Sequence, residues 1–389
     1  MQKKKKYGKI KKYEFSNWGK NKMKKIKNKI ITISGEPVSG KSTVVKQLIK
    51  KYEELGFNVH VISTGKLFRE IIVREYLKMY PDRTDANLAD IQTDESFAEK
   101  RAKIDEEIDT LIAQKGIEIN EQERPNDIYI FDSRLAWHNI PEAYAVRLTI
   151  DDRIAGKRVM KDQTRGKEDT YRNLKDAIEQ TKKRKLGEIE RYKKKYGVDL
   201  TNPENYDLII DTSHSNVEEL ADIIISGEEA YRNGQEYPKT WASPAHFFSE
   251  QKARLTSGDK IMELATIIKK EGYDVCLGIV DIAEHEGAKI LLNGNHRICA
   301  ALSTGRTLIP YEIIAKDNKF TQMIASGIYD DPTLECIYDW AEMMLSYYGG
   351  ELGKIESLKG LRAKDLIHAD KVPKLRKYLD INNSNSDGR

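Results

Sequence analysis

Along the first half of the chain, short runs of β-branched and aliphatic residues alternate with longer stretches whose apolar positions recur at helical spacing. The runs at 30–34, 58–62, 127–131, 145–150 and 206–210 read as strands, and 43–55 reads as a helix that stops at Gly56. Strands separated by long helical crossovers predict an α/β fold. The expected form is a doubly wound, parallel, five-stranded sheet covered on both faces, with ligands bound beyond the carboxyl ends of its strands. The pattern changes near Gly234, where 231–238 reads as a linker. Beyond it lie an amphipathic helix over 260–272, an apolar run at 277–282, a strand-to-helix passage over 288–297, a short helix to Gly305 and a strand over 308–315. These elements predict a second, smaller α+β unit, and 389 residues are in any case too many for one ordinary core. The expected organisation is a basic tail with a lid-bearing α/β unit behind it over 1–28 and 29–228, a linker over 229–242, the α+β unit over 243–316, and a helical extension with a disordered end over 317–389.

Charge alters this picture at one end. Residues 1–29 carry thirteen Lys and one Glu, a net +12 in a chain whose total is +4. Such a tail suits anionic polymers or membranes, yet the plainer reading is a disordered, solvated extension, or an upstream start before Met23. No apolar run follows the lysines as in a secretory signal, and no later run reaches transmembrane length. Three scattered cysteines, Cys276, Cys299 and Cys336, make neither a disulfide framework nor a zinc site. A cytoplasmic protein without a membrane partner is expected; its oligomeric state is left open.

Between the first strand and the first helix the chain reads Gly35-Glu36-Pro37-Val38-Ser39-Gly40-Lys41-Ser42-Thr43, a complete G-x-x-x-x-G-K-[ST] phosphate loop. In that setting backbone N–H groups and a helix N-terminus surround a polyphosphate, which predicts ATP binding along the whole segment. Lys41 would reach the β- and γ-phosphates, and the Ser42 hydroxyl would hold Mg²⁺. Asp132 closes the third apolar run, where a carboxylate near the metal belongs, although a turn or N-cap aspartate fits the same place. Arg69 and Arg134 also fall at the carboxyl edge of the sheet, where planar guanidinium groups suit bidentate capture of a second phosphate. Residues 151–196 are dense in charge, and most of that stretch reads as a solvated helix face. Within it Arg184, Glu188 and Arg191 share one face, a stripe able to close over phosphates and neutralise a moving phosphoryl group.

Taken in order, the phosphate loop, Ser63-Thr-Gly-x-x-Phe-Arg69, residues 103–109, Asp132-Ser-Arg134, residues 183–192 and residues 206–213 resemble the cytidylate kinase family, especially its shorter, archaeal-like branch. The resemblance implies phosphoryl transfer from ATP to CMP or dCMP, by positioning and charge neutralisation more than by a general base. It implies acceptor-phosphate contacts from Arg69, Arg134 and Arg191, with Thr64 and Glu188 near the acceptor's base or sugar. It also implies that Arg184 bridges the two nucleotides and that Arg158 and Arg165 act from a lid. The catalytic set is then Lys41, Asp132, Arg158 and Arg184, with Mg²⁺ at Ser42 and Asp132. Several positions depart from the family pattern. Lys66 stands in place of an acidic or small residue, Ser133 replaces a common glycine, the spacing of Arg153, Lys157 and Arg158 differs, and 80–126 is longer and more polar. These departures bear on the acceptor, so another phosphorylated or small-metabolite acceptor in a bifunctional enzyme is an alternative.

In the second unit, Asn293-Gly-Asn-His-Arg297 leads from strand to helix, either as an anion site with Arg297 as its positive contact or as an ordinary capped turn. The pattern over roughly 243–316 resembles the ParB/sulfiredoxin superfamily, which implies nucleotide-phosphate binding at Gly294, Asn295, His296 and Arg297 without fixing an activity. A sulfiredoxin-type reaction does not suit the chain, because no cysteine directly precedes His296 and Cys299 follows the motif. The DNA clamps of that superfamily supply a rival reading, a CTP- or ATP-controlled DNA- or partner-binding regulatory protein. Against it, residues 320–370 hold nine Asp/Glu and four Lys/Arg, a balance that repels a phosphate backbone, so nucleic acid is not an expected partner. The sequence thus predicts an ATP- and Mg²⁺-dependent nucleoside monophosphate kinase whose partners are its nucleotide substrates.

Overall fold

The computed structural model describes residues 28–322 except 84–85, 87, 162–170, 250–257, 274 and 286. The basic tail, Arg165 and nearly all of the C-terminal extension lie outside the described residues. The first unit runs β1 (Lys29–Gly35), α1 (Lys41–Glu54), β2 (Asn58–Ser63), α2 (Thr64–Met79), α3 (Leu88–Thr93), α4 (Ala98–Glu121) and β3 (Asp127–Asp132). It continues with α5 (Ala136–Asn139), β4 (Tyr144–Thr149), α6 (Asp152–Lys161), α7 (Leu174–Tyr196), β5 (Leu208–Asp211) and α8 (Val217–Arg232). The remainder comprises β6 (Thr240–Ala242), β7 (Phe247–Ser249), α9 (Gly258–Glu271), β8 (Val280–His285), β9 (Ala288–Asn293), α10 (Asn295–Ser303) and β10 (Ile309–Lys316).

Local chemistry sets these elements. β1 is buried from its second residue onward, as a parallel strand covered on both faces must be. The following helix, α1, turns Val44, Val45, Leu48 and Tyr52 inward. Ser63 caps α2 by accepting from the Lys66 amide, and Asn216 caps α8 by accepting from the Glu218 and Glu219 amides. Asn173 opens α7 in the same way, and Gly197 at φ 68° ends it.

Strands β2, β3, β1, β4 and β5 lie side by side and parallel, as expected, but the sheet does not stop there. Its full order is β2-β3-β1-β4-β5-β6-β10-β8-β9-β7. β6 pairs parallel to β5 through Ile209↔Thr240 and Ile210↔Trp241, then antiparallel to β10. The expected five-stranded sheet is therefore one half of a mixed, ten-stranded one. β6 falls inside the stretch read as a linker, because a three-residue strand beside Pro238 is too short to show any periodicity.

The cores follow the same continuity. Ile31, Ile33, Val146, Leu148 and Ile210 pack with residues of α1 and α8, and Trp241 and Leu308 from beyond α8 join this cluster. The opposite sheet face packs on α2 and α4, and a separate cluster around Ile261, Ile282, Leu291 and Ile298 fills the second unit. A polar clasp fastens the two units. Glu219, buried in the first turn of α8, accepts from the amides of Thr307 (3.0 Å) and Leu308 (2.9 Å) and from the Thr307 hydroxyl (2.8 Å), and pairs with Arg306 Nε (3.1 Å). The Asn216 amide donates in turn to Thr307 Oγ1 at 2.8 Å. Among the described residues no helix is long and apolar enough to cross a membrane. Glu219→Ala leaves two buried amides without an acceptor and should cost about 2–4 kcal/mol of stability, read as a lower urea midpoint. The exposed neighbour serves as control: Glu218→Ala should cost under about 1 kcal/mol.

Candidate active site

The phosphate loop crosses the carboxyl edge of the sheet between β1 and α1. Val38 at φ 69° and Gly40 at φ 82° give it the left-handed turns that aim successive backbone N–H groups at one point. The entry is tight, for a Cβ at Gly35 would lie 2.6 Å from Ser39 Oγ. Glu36 anchors the loop from within. Its carboxylate pairs with Arg147 Nη2 at 3.0 Å and Lys185 Nζ at 2.9 Å, and accepts from the Ile150 amide at 3.3 Å. Arg147 also donates to the Leu200 carbonyl and to the Tyr206 hydroxyl. Burial alone would lower the Lys185 pKa; Glu36, with Asp152 at 3.3 Å, outweighs this and holds it above its ordinary value. From the other side, Thr212 Oγ1 donates to the Ser39 carbonyl at 2.9 Å. Arg158, expected in a lid, lies on α6 and donates to the carbonyls of Val38 (3.3 Å) and Ser213 (3.2 Å).

A second group of side chains gathers where β2 and β3 end. Lys41 Nζ donates to Asp132 Oδ1, while Ser63 Oγ donates to Oδ2 at 3.2 Å. Thr64 Oγ1 donates to the Asp132 carbonyl at 3.3 Å. Just past β3, Arg134 Nε pairs with Glu188 Oε2 at 2.7 Å, and Arg184 Nε lies 3.6 Å from the other oxygen of Glu188. Arg69 is exposed on α2 and acts on Lys41 through its charge. Arg191 is exposed on α7, its guanidinium 5.0 Å from the Tyr192 ring centre. Ser42 and Thr43 are exposed in the first turn of α1. The structure thus brings Lys41, Asp132, Thr64, Arg134, Glu188 and Arg184 together and turns Arg191 onto Tyr192. Burial, and then the Arg134 guanidinium, pull the Lys41 pKa down to about 8; Glu188 opposes them and Arg69 adds to them.

Arg147, Lys185 and Thr212, together with the anchoring role of the Glu36 carboxylate, escape sequence reasoning. Lys185 and Thr212 fall inside the segments 183–192 and 206–213 but carry no signal of their own, Lys185 being hidden in a run of like charges and Thr212 following a strand. Arg147 had one usable signal: a guanidinium inside an apolar, buried strand is uncommon and asks for a partner. At the second candidate site, Gly294 at φ 114° opens α10. Arg297 donates to the carbonyls of Ile279 (2.7 Å) and Leu277 (3.4 Å), bracing the chain that enters β8.

Similarity to known proteins covers the unit that holds the first of these sites. The cytidylate kinase-like family matches residues 30–214. The cytidylate kinase of Methanocella arvoryzae is 33% identical over 195 residues, covering 50% of this chain and 94% of that one. This chain belongs to the cytidylate kinase-like family. Another family relative, the cytidylate kinase of Methanocaldococcus jannaschii, is 30% identical over 198 residues, covering 51% of this chain and 96% of its own. The S-adenosylmethionine-dependent nucleotide dehydratase of Lacinutrix mariniflava is 32% identical over 199 residues, which span 50% of this chain but only 35% of that protein. Membership in the cytidylate kinase-like family therefore speaks for the unit that holds the phosphate loop, and the matched residues end before α8.

With its pKa at about 8, Lys41 is half neutral at that pH, whereas a neighbouring polyphosphate favours the charged form. Binding of ATP at about pH 8.5 should therefore take up a fraction of a proton, and the uptake should fade below about pH 7. Calorimetry in buffers of different ionisation enthalpy measures it, and Lys41→Met should abolish it.

Proposed function

We propose that the unit over 29–228 transfers the γ-phosphoryl group of ATP to a nucleoside monophosphate, with CMP or dCMP the favoured acceptor. The observation that carries this reading is the convergence of Lys41, Asp132, Arg134, Glu188 and Arg184 at one end of the phosphate loop, in a chain whose relatives include cytidylate kinases. Lys41 leaves Asp132 for the β- and γ-phosphates. The Ser42 hydroxyl, in the first turn of α1, and the vacated Asp132 carboxylate, at the end of β3 beside Lys41, are hard oxygen donors of the kind Mg²⁺ takes. The ion, when bound, neutralises charge between the β- and γ-phosphates. Arg134 and Arg69 receive the acceptor's phosphate, and Arg191 joins them by leaving Tyr192. Glu188, freed from Arg134, turns to the acceptor's sugar or base beside Thr64, and Arg184 bridges the two nucleotides. An acceptor phosphate oxygen attacks the γ-phosphorus as the bond to the β-phosphate oxygen breaks, and neither event needs a protein base. The second unit is proposed to bind a phosphate or nucleotide at Gly294–Arg297, as a further active site or a sensor. The left-handed Gly294 at the start of α10 supports this, provided Arg297 leaves its carbonyls.

One observation favours a different acceptor. Lys66 is exposed in the first turn of α2, between Thr64 and Arg69, and this extra cation suits an acceptor more anionic than CMP.

ATP consumption against a panel of nucleoside monophosphates decides. ADP formation dependent on CMP or dCMP, and reduced about a hundredfold or more in Lys41→Ala, is the expected result. Turnover only with other phosphorylated acceptors selects the second reading, and silence across both sets overturns the kinase. Within the first outcome, Arg134→Ala should raise the acceptor KM about tenfold or more with little change in the KM for ATP.

A further inference from the structure

The phosphate loop is held in a backbone shape that its own sequence resists. Val38 stands at φ 69°, in the left-handed region that a β-branched residue rarely adopts, and such a conformation persists only where its surroundings fix it. Its side chain packs against Ile150, Ile154 and Ala155. Its carbonyl accepts from Arg158, and the next carbonyl, of Ser39, accepts from the Thr212 hydroxyl. Arg158 donates as well to the carbonyls of Thr212 and of Ser213 (3.2 Å). The loop therefore keeps its shape as long as Thr212 and Ser213, just beyond β5, keep theirs.

These two residues are fixed from both ends. On the β5 side, the Thr212 amide donates to the Thr149 carbonyl at 2.9 Å, and the Ser213 hydroxyl accepts from the Asp151 amide at 2.9 Å. On the α8 side, the Ser215 hydroxyl donates back to the Thr212 carbonyl at 3.3 Å. The next residue, Asn216, has its side-chain oxygen occupied in capping α8. Its backbone amide donates to Thr307 Oγ1 at 2.8 Å. Thr307 is buried and belongs to the second unit, beyond α10, and its own hydroxyl hydrogen goes to Glu219 at 2.8 Å. With that hydrogen committed to a carboxylate, the oxygen is left as an acceptor, which is what an amide requires. The preceding Arg306 shares the clasp, but its link at 3.1 Å is to the Glu219 carboxylate and not to the Asn216 amide.

Resting on the kinase reading above, we propose that Thr307 is a positioning residue for the phosphate loop. Its hydroxyl fixes the Asn216 amide, and the turn between β5 and Asn216 then holds the Val38 and Ser39 carbonyls in place. Successive loop amides are thereby kept aimed at one triphosphate. Without the hydroxyl a buried amide is left unpaired, and the turn shifts to bring it to water or to another acceptor. Val38 then relaxes, and the amides no longer converge. The family-matched segment ends at residue 214, so the loop depends on a side chain from outside it. The appended unit is in this way part of the triphosphate site, whatever it binds itself.

Calorimetric titration of the full chain with ATP and with inorganic tripolyphosphate, beside urea unfolding, tests this in three variants. Thr307→Val keeps the shape of the side chain without its hydroxyl, and should weaken both ligands by about fivefold or more, to equal extents. Thr307→Ser keeps the hydroxyl and should bind both within about twofold of wild type. Arg306→Ala loosens the clasp and leaves the Asn216 amide paired, so its urea midpoint should fall while both affinities stay within about twofold. Unchanged binding in Thr307→Val overturns the inference. So does a serine variant as weak as the valine, or an equal loss in Arg306→Ala, which would show general loosening of the clasp. Weaker ATP with unchanged tripolyphosphate would place the effect away from the loop amides and overturn it too. If Thr307→Val does not fold, Thr307→Ala takes its place, and the serine should bind both ligands about fivefold more tightly than the alanine. A wild-type chain that binds neither ligand removes the kinase reading itself; equal binding by wild type and every variant removes only the role of Thr307.

Discussion

A phosphate loop has to leave its inward amides unpaired for a ligand and still hold them in one place. This chain meets both demands by fastening the loop through its carbonyl oxygens and one buried carboxylate. Thr212 and Arg158 hold the Ser39 and Val38 carbonyls, and Glu36 ties the loop to β4 through Arg147 and to α7 through Lys185. Elements that carry candidate site residues are thus referred to the same short segment: α7, with Arg184 and Glu188, through Lys185, and β3, with Asp132, through Lys41.

The same economy governs charge. Lys41 rests on Asp132, Arg134 on Glu188 and Lys185 on Glu36. Half-buried cations without counter-ions would be expensive to keep and would repel one another. Held this way, each of these three cations meets a carboxylate before substrate arrives, and phosphate exchanges partners instead of creating ion pairs from solvated groups. Burial, and then the Arg134 guanidinium, still hold the Lys41 pKa down.

The sequence made the first half of the fold legible because its parallel strands are apolar throughout and its loop is a fixed motif: the runs at 30–34, 58–62 and 127–131 lie inside β1, β2 and β3. β4 begins one residue earlier than expected and β5 two residues later, at Tyr144 and Leu208. Lys41, Asp132, Arg134 and Glu188 were legible as candidates through motif and helical spacing. What joins them was not. Ion pairs such as Glu36–Lys185 connect residues far apart in sequence, and Lys185 looks like its solvated neighbours until α7 is docked. The clasp at Glu219 is equally silent, since a carboxylate in the first turn of a helix reads as an ordinary favourable charge. β6 and β7, at three residues each, are below the length at which alternation carries information.

Strand β6 has one more consequence. A parallel α/β sheet that ended at β5 would present the N–H and C=O groups of Leu208–Asp211 as an open template for another chain. Here the Ile209 amide donates to the Lys239 carbonyl, and Trp241 is buried in the adjoining core. The appended unit therefore works as a plug on an aggregation-prone border. Removing everything after α8 would expose that border to intermolecular strand exchange, whatever became of catalysis.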